Sequence, residues 1–331
     1  MIEGKDLILA TKPYAQENRK LSWFYTISSF ALLITSYVTS VLVENLWLKF
    51  TFAGIAGLLN VRVFVIYHDF LHKAILANSI FAKSIFAVFG LYMLAPISIW
   101  RRSHDYHHKH NSKLYSSSIG SFPIVSKSDF AKASKYEQRL YLFIRHPITI
   151  NLGYIFAFVY GMCIKSFLAN PRKHWDSLVA LAFHVSLGAS IYYFFGLPSL
   201  LISFFIPALM EGAIGSYLFY AQHNFPGVEF QDKLNWSYDK AALESSSMMK
   251  MHPISHWLSA NIGYHHIHHM NAKIPFYRLP EVYKAFKEFQ NPKTTSLLPK
   301  DVLACFKLKV WDPDQRKMIG LKELKLQGLY S

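Results

Sequence analysis

The chain runs to 331 residues, of which 52% are hydrophobic and 16% aromatic, and its mean hydropathy is positive. That is too apolar for an ordinary soluble domain and too charged for a protein lying wholly in lipid, so an embedded core with a sizeable aqueous part is indicated. Basic residues exceed acidic ones by 35 − 20 = 15. They are scattered between hydrophobic stretches and form no compact module, which points to segments facing anionic lipid and away from nucleic-acid binding. Two cysteines with no CxxC pair support neither a disulfide framework nor a thiolate metal site.

The first twenty residues are polar and charged, with no small-residue cleavage site behind an apolar core. No removable signal peptide is expected, and the first hydrophobic stretch is expected to act as its own insertion signal. Apolar stretches follow at roughly 22–44, 48–67, 80–99, 148–168, 177–196 and 199–220. Short connections predict two hairpins, one from the first pair and one from the last. Lys12, Arg19, Lys20 and Lys73 flank the open end of the first; Arg172, Lys173 and Lys233 flank that of the second. By the positive-inside rule these ends are cytoplasmic.

Stretch 80–99 lies between Lys83 and Arg101-Arg102, and 148–168 between Arg145-His146 and Lys165, Arg172 and Lys173. Basic residues at both ends predict that each is interfacial or re-entrant. The expected fold is therefore an all-α integral membrane protein: four transmembrane helices in two hairpins, interfacial helices, and a cytoplasmic helical cap. Both termini face the cytoplasm. The chain reads as one domain, 1–331, in which 284–331 is a polar, lysine-rich cytoplasmic extension opening on EVYKAFKEF at helical spacing.

Most of the sixteen histidines fall in three clusters: His68 and His72; His104, His107 and His108; His265, His268 and His269. Their spacings of i, i+3 and i+4 put the rings of each cluster on one helical face. The first two clusters sit where apolar stretches end, and the third lies downstream of the last one. His223, in Gln222-His223-Asn224 directly after that last stretch, occupies an exit position like that of His68 and is the candidate ninth ligand. Imidazole is the commonest protein ligand for first-row metals near neutral pH. Hairpins separating the clusters by even numbers of crossings would bring all nine rings to one side of the membrane.

Nine nitrogens exceed what one zinc ion takes, and copper sites favour the thiolates nearly absent here. Two irons at five- to six-coordination would use nine imidazoles and keep positions open for oxygen. Asp69 and Asp105 each follow the first histidine of a cluster. Either they fix a ligand's tautomer through its second ring nitrogen, or they are helix-surface charges. His266 and His110 lie off the ligand faces, His266 being expected to make a supporting hydrogen bond. His146, His174, His252 and His256 read as interfacial or structural, and His184 as a hydrogen-bonded core residue. Arg62 and Glu211 are charges inside apolar stretches, expected to face the bundle interior and to interact across it; otherwise Arg62 snorkels to the interface and Glu211 is protonated or bonded to backbone.

HxxxH, HxxHH and HxxHH in this order, around two hairpins, resemble the membrane fatty acid desaturases and their hydroxylase relatives. QHNFPGVEF and NIGYHHIHHMNAKIPFYRLPE look especially like the acyl-lipid desaturases of bacteria and plants, and the similarity runs from Ile66 to Tyr283. The resemblance implies a di-iron centre, with O2 as co-substrate, that removes hydrogen from an acyl carbon and then from its neighbour. Its ligands would be His68, His72, His104, His107, His108, His223, His265, His268 and His269, and its substrate a membrane-lipid acyl chain. His252-Pro253 lacks the glycines of a haem-binding HPGG, so electrons are expected from a separate donor, ferredoxin or a cytochrome b5-like protein. A hydroxylase or ketolase of the same superfamily, acting on acyl chains, carotenoids or sterols, is the alternative. A histidine-based metal carrier is a third reading, disfavoured because its ligands would line a pathway through the membrane.

Overall fold

The structure is a computed structural model that describes residues 2–114, 120–232 and 234–330; Lys233, read above as a basic flank, lies outside them. It is mostly helical. Helix α1 (Arg19–Leu42) starts where the Asn18 side chain accepts the Leu21 N–H, and α2 (Leu46–Leu71) starts with the same cap from Asn45 to Leu48. The buried face of α1 carries Ser22, Thr26, Ser29, Leu33, Ser36 and Ser40. Small residues at alternating spacings of four and three let two apolar helices approach closely. Their hydroxyls do not cost burial energy, because Thr26 and Ser36 bond back to the carbonyls of Ser22 and Leu32. The two helices form the first hairpin, joined through Val43–Asn45.

The 80–99 stretch is not a straight span. Helix α3 (Ile80–Tyr92) and α4 (Ile97–His110) meet at 90°. Leu94 takes φ 53°, and Pro96 caps α4 in extended conformation; proline lacks the N–H that would carry a helix through. The 148–168 stretch is a short helix (Pro147–Asn151) followed by α5 (Tyr154–Ala169), largely π-helical. At sixteen residues α5 is shorter than the twenty or so that a straight span needs.

Trp175–Ala221 is continuous and apolar, but it folds back on itself. Gly196 has φ 76° and ψ 178°, which no helix accommodates, and Pro198 follows within two residues. Helix α6 (Trp175–Ser199) therefore packs on what comes after it. The His184 and Phe204 rings are 4.7 Å apart, whereas twenty residues along a straight helix would span about 30 Å. Helix α7 (Ile206–Ala221) then lies against α2, with Gly57 facing Pro207 and Met210. Among the described residues, three helical stretches are long and apolar enough to cross a membrane, namely α1, α2 and the folded 175–221 segment, and a fourth if the bent α3–α4 pair makes one span.

The tail departs from the all-α expectation. The helix Leu279–Ala285 stops at Phe286, which is extended, so EVYKAFKEF is helical only in part. Leu308–Asp312 pairs antiparallel with Lys317–Gly320, and Thr294–Ser296 pairs parallel with Met248–Lys250. Val310 and Ile319 are buried in a small core with Phe130, Tyr141 and Leu324. The strands form because β-branched and aromatic side chains pack there; runs of three to five residues leave almost no periodic signature.

Candidate metal centre

Helix geometry brings the clusters together. His68 lies in the last turn of α2 and His72 caps it. His104, His107 and His108 occupy the last two turns of α4. His265, His268 and His269 lie on α8 (His265–Met270), and His223 sits two residues past α7. Two groups result: His68, His72, His104, His108 and His268; and His107, His223, His265 and His269. Within each, the available nitrogens all lie within 4.8 Å of one another. All nine sequence-derived candidates are in one group or the other, and no other histidine is in either.

Ring-nitrogen separations test whether a metal fits. In the first group, Nε2 of His68 is 2.8 Å from that of His104 and 3.2 Å from that of His72; Nε2 of His108 is 3.1 Å from those of His104 and His268. In the second, Nε2 of His223 is 3.0 Å from that of His107 and 2.9 Å from that of His265, and His269 is 3.1 Å from His265. Two imidazoles bound at right angles about 2.1 Å from one ion would be about 3 Å apart. The donor set thus fits two ions held by neutral nitrogen.

Burial favours the neutral form of His72, His104, His107, His108, His223, His265, His268 and His269. It pushes His223 down to about 4, partly offset by the bond its Nδ1–H donates to the Ser245 carbonyl at 3.0 Å. Burial, reinforced by neighbouring imidazoles, holds His265, His268 and His269 well below the usual histidine range. His68 Nδ1 lies 3.2 Å from Asp69 Oδ1, and Asp69 Oδ2 accepts the Phe276 N–H at 2.7 Å. Asp69 thus orients a ring and ties it to the segment after α8. Asp105 does not share this arrangement, because its side chain is exposed on the outer face of α4. The Nδ1 atoms of His108, His265 and His268 have no partner among the described residues.

Other histidines stay outside the groups. His266 is fully buried, its Nε2 3.2 Å from the Phe289 carbonyl. His184 bridges the Tyr154 hydroxyl and the Tyr92 carbonyl. His146 and His252 cap short helices, His256 stacks on Tyr264, His110 stacks on Tyr106, and His174 bonds Ser98. Arg62 and Glu211 are both buried, but they do not pair with each other among the described residues. The Arg62 guanidinium bonds Ser29 Oγ and the Trp257 carbonyl, and lies 4.1 Å from the Trp257 ring centroid.

Two aromatic walls escaped the sequence reading. Trp100 stacks on His104 with centroids 5.2 Å apart, and Phe219 packs 5.1 Å from His107. Each lies four residues before a histidine of the set, Trp100 before His104 and Phe219 before His223, so helical spacing was the available signal.

Nine imidazoles, seven of them buried and His72 and His223 half-buried, form two groups that could each hold a metal ion, in a chain with several apolar helices long enough to cross a membrane. The family model for fatty acid desaturases matches residues 45–297, and the chain belongs to that family. It is similar to a fatty acid desaturase of Bacillus subtilis (strain 168), with 29% identity over 326 residues that cover 97% of this chain and 92% of that protein. It is also similar to the sn-1 acyl-lipid omega-3 desaturase (ferredoxin) of Nostoc sp. (strain 36), at 24% identity covering 82% and 76% of the two chains. The acyl-lipid omega-3 desaturase (cytochrome b5) of the endoplasmic reticulum of Arabidopsis thaliana is 21% identical, covering 84% and 75%. The protein is therefore a membrane oxidoreductase whose family desaturates fatty acyl chains.

Proposed function

We propose that this protein carries out O2-dependent desaturation of lipid-linked acyl chains at a pair of iron ions held by His68, His72, His104, His108 and His268 and by His107, His223, His265 and His269. The observation that carries the reading is the division of these rings into groups of five and four. The irons, when bound, would supply the oxidising power that removes two hydrogens from neighbouring carbons. The balance is R–CH2–CH2–R′ + O2 + 2 e− + 2 H+ → R–CH=CH–R′ + 2 H2O. The electrons come from a separate protein; the names of the Nostoc and Arabidopsis relatives support a ferredoxin or a cytochrome b5-like donor.

The chain's own residues hold and shield the reacting region. Asp69 keeps His68 in register. Trp100 stacks on the His104 ring and Phe219 packs beside His107, so an oxidant there would meet apolar walls on these sides. An acyl chain reaching the site from the bilayer keeps its methylenes out of water, worth roughly 0.8 kcal/mol each. The proposed topology is four spans in two hairpins, with α3–α5 interfacial or re-entrant and both termini and the metal centre cytoplasmic. It is supported by the fold-back at Gly196 and by the basic residues flanking the hairpins.

Expression in a host lacking such enzymes, followed by fatty-acid methyl ester analysis with double-bond localisation, tests this reading. Products lacking two hydrogens are expected. Products carrying an added oxygen would assign a hydroxylase instead, and an unchanged lipid profile despite iron loading would defeat the proposal.

A further inference from the structure

His223 differs from the other eight rings. Those lie on or cap α2, α4 and α8, each beside another ring of the set, whereas His223 stands alone on a turn beyond α7. The ring itself has one direct tether, the bond from its Nδ1–H to the Ser245 carbonyl at 3.0 Å; otherwise a lone ring on a turn is held only as well as its surroundings hold the turn. Both neighbours of His223 are tied down by their side chains. Gln222 Nε2 donates to the Ile262 carbonyl at 2.8 Å, just ahead of α8, while the Gln222 carbonyl accepts the Ser247 N–H. Asn224 Nδ2 donates to the Cys305 carbonyl at 2.8 Å, and its Oδ1 accepts from Arg145 Nη2 at 2.5 Å.

Arg145 is fully buried and has no carboxylate partner among the described residues. Burying a guanidinium without a counter-charge is costly. Neutral acceptors take its two Nη groups, namely the carbonyls of Pro123 and Leu308, the Tyr220 hydroxyl and Asn224 Oδ1, while its Nε has no partner among the described residues. Only a planar fork reaches several such groups at once. From the other side, Lys309 Nζ donates to the Arg145 carbonyl at 2.7 Å, and the Tyr220 hydroxyl donates to the Leu308 carbonyl at 3.2 Å. The segment 305–309, which carries no chemistry of its own, is thus joined through two side chains to the residue next to His223.

We propose that Arg145, Asn224 and Gln222 are positioning residues for the His223 imidazole, and that through them the Cys305–Lys309 segment sets the geometry of the four-histidine group. This rests on the reading of His223 as a metal ligand. Arg145 and Asn224 touch no reacting atom. They fix the turn from which the ring projects, as supporting hydrogen bonds orient metal-binding imidazoles generally.

The test uses full-length protein in detergent, loaded with iron-57 and read by metal content and Mössbauer spectroscopy. Asn224→Leu and Arg145→Met are expected to weaken iron in the four-histidine group roughly 10–100-fold. At limiting iron the chain then holds closer to one ion than two, with the five-histidine signal unchanged. Arg145→Lys restores part of the loss. Asn224→Asp keeps the side-chain size and the acceptor for Arg145, but loses the bond to Cys305. It is expected to retain iron with an altered quadrupole splitting in one of two components. Wild-type loading and spectra in Asn224→Asp overturn the proposal even if the bulkier changes fail to fold. Retention of both irons by His223→Ala would instead remove the ligand reading beneath it.

Discussion

Gly212 on α7 is the position where a single methyl group should report on the packing that carries His223. A Cβ there would sit 2.4 Å from the Tyr154 backbone nitrogen and 2.7 Å from its Cα, with no flexible side-chain end able to swing away. Ordinary contacts lie near 3.5–4.0 Å, so α7 and α5 must separate by about 1 Å. Overpacking of this kind costs about 1–3 kcal/mol. Alanine offsets it by at most about 1 kcal/mol through helix propensity. Gly54 on α2 is the internal control, because nothing lies within 4 Å of its Cβ position and only the propensity gain remains. The two alanine variants should therefore differ by about 1–3 kcal/mol, with Gly212→Ala the less stable. At about 0.7 kcal/mol per degree for a chain of this length, that is a gap of about 1.5–4.5 °C in Tm. Thermal unfolding of both purified variants, followed by intrinsic tryptophan fluorescence, measures it. A Gly212→Ala Tm equal to or above that of Gly54→Ala would refute the close α5–α7 contact.

Alanine at His104, His107 or His268 should abolish product while leaving the protein in the membrane, whereas His110→Ala, His146→Ala and His174→Ala should keep most activity; product assay beside immunoblotting decides, and equal loss in both sets would mean the ligand reading is wrong. Asp69→Asn should lower activity or iron affinity about 10–100-fold, since it weakens the support of His68; wild-type iron titration and turnover would contradict that. The metal-free protein should lose stability as pH falls from about 6.5, where unfolded imidazoles begin to bind protons, towards the value of about 4 to which burial pushes folded His223 and His266. Denaturant titrations across that range check the sign, and a flat profile would show that those rings are not buried neutral.

The histidine geometry was legible because imidazoles three and four residues apart on a helix must share a face, and because apolar length marked where α2 and α7 end. Both hairpins were readable from the same hydropathy. The 90° bend between α3 and α4 was announced only by Pro96, and the basic flanks suggested a departure from a span without its angle. The all-α expectation missed the strands of the tail because Leu308–Asp312 and Lys317–Gly320 are too short to display a period and exist through contacts with Phe130 and Tyr141. Arg62 and Glu211 were rightly placed in the interior and wrongly joined, since Ser29 and the Trp257 carbonyl satisfy the guanidinium. Arg145 read as a membrane flank, whereas its guanidinium is buried among acceptors drawn from residues 123, 220, 224 and 308. No local spacing encodes such a convergence.

Anomalous diffraction at the iron edge from crystals of the iron-loaded protein addresses the central claim most directly. Two peaks per chain are expected, one among His68, His72, His104, His108 and His268 and the other among His107, His223, His265 and His269. A single peak, or peaks remote from these nine rings, would contradict it.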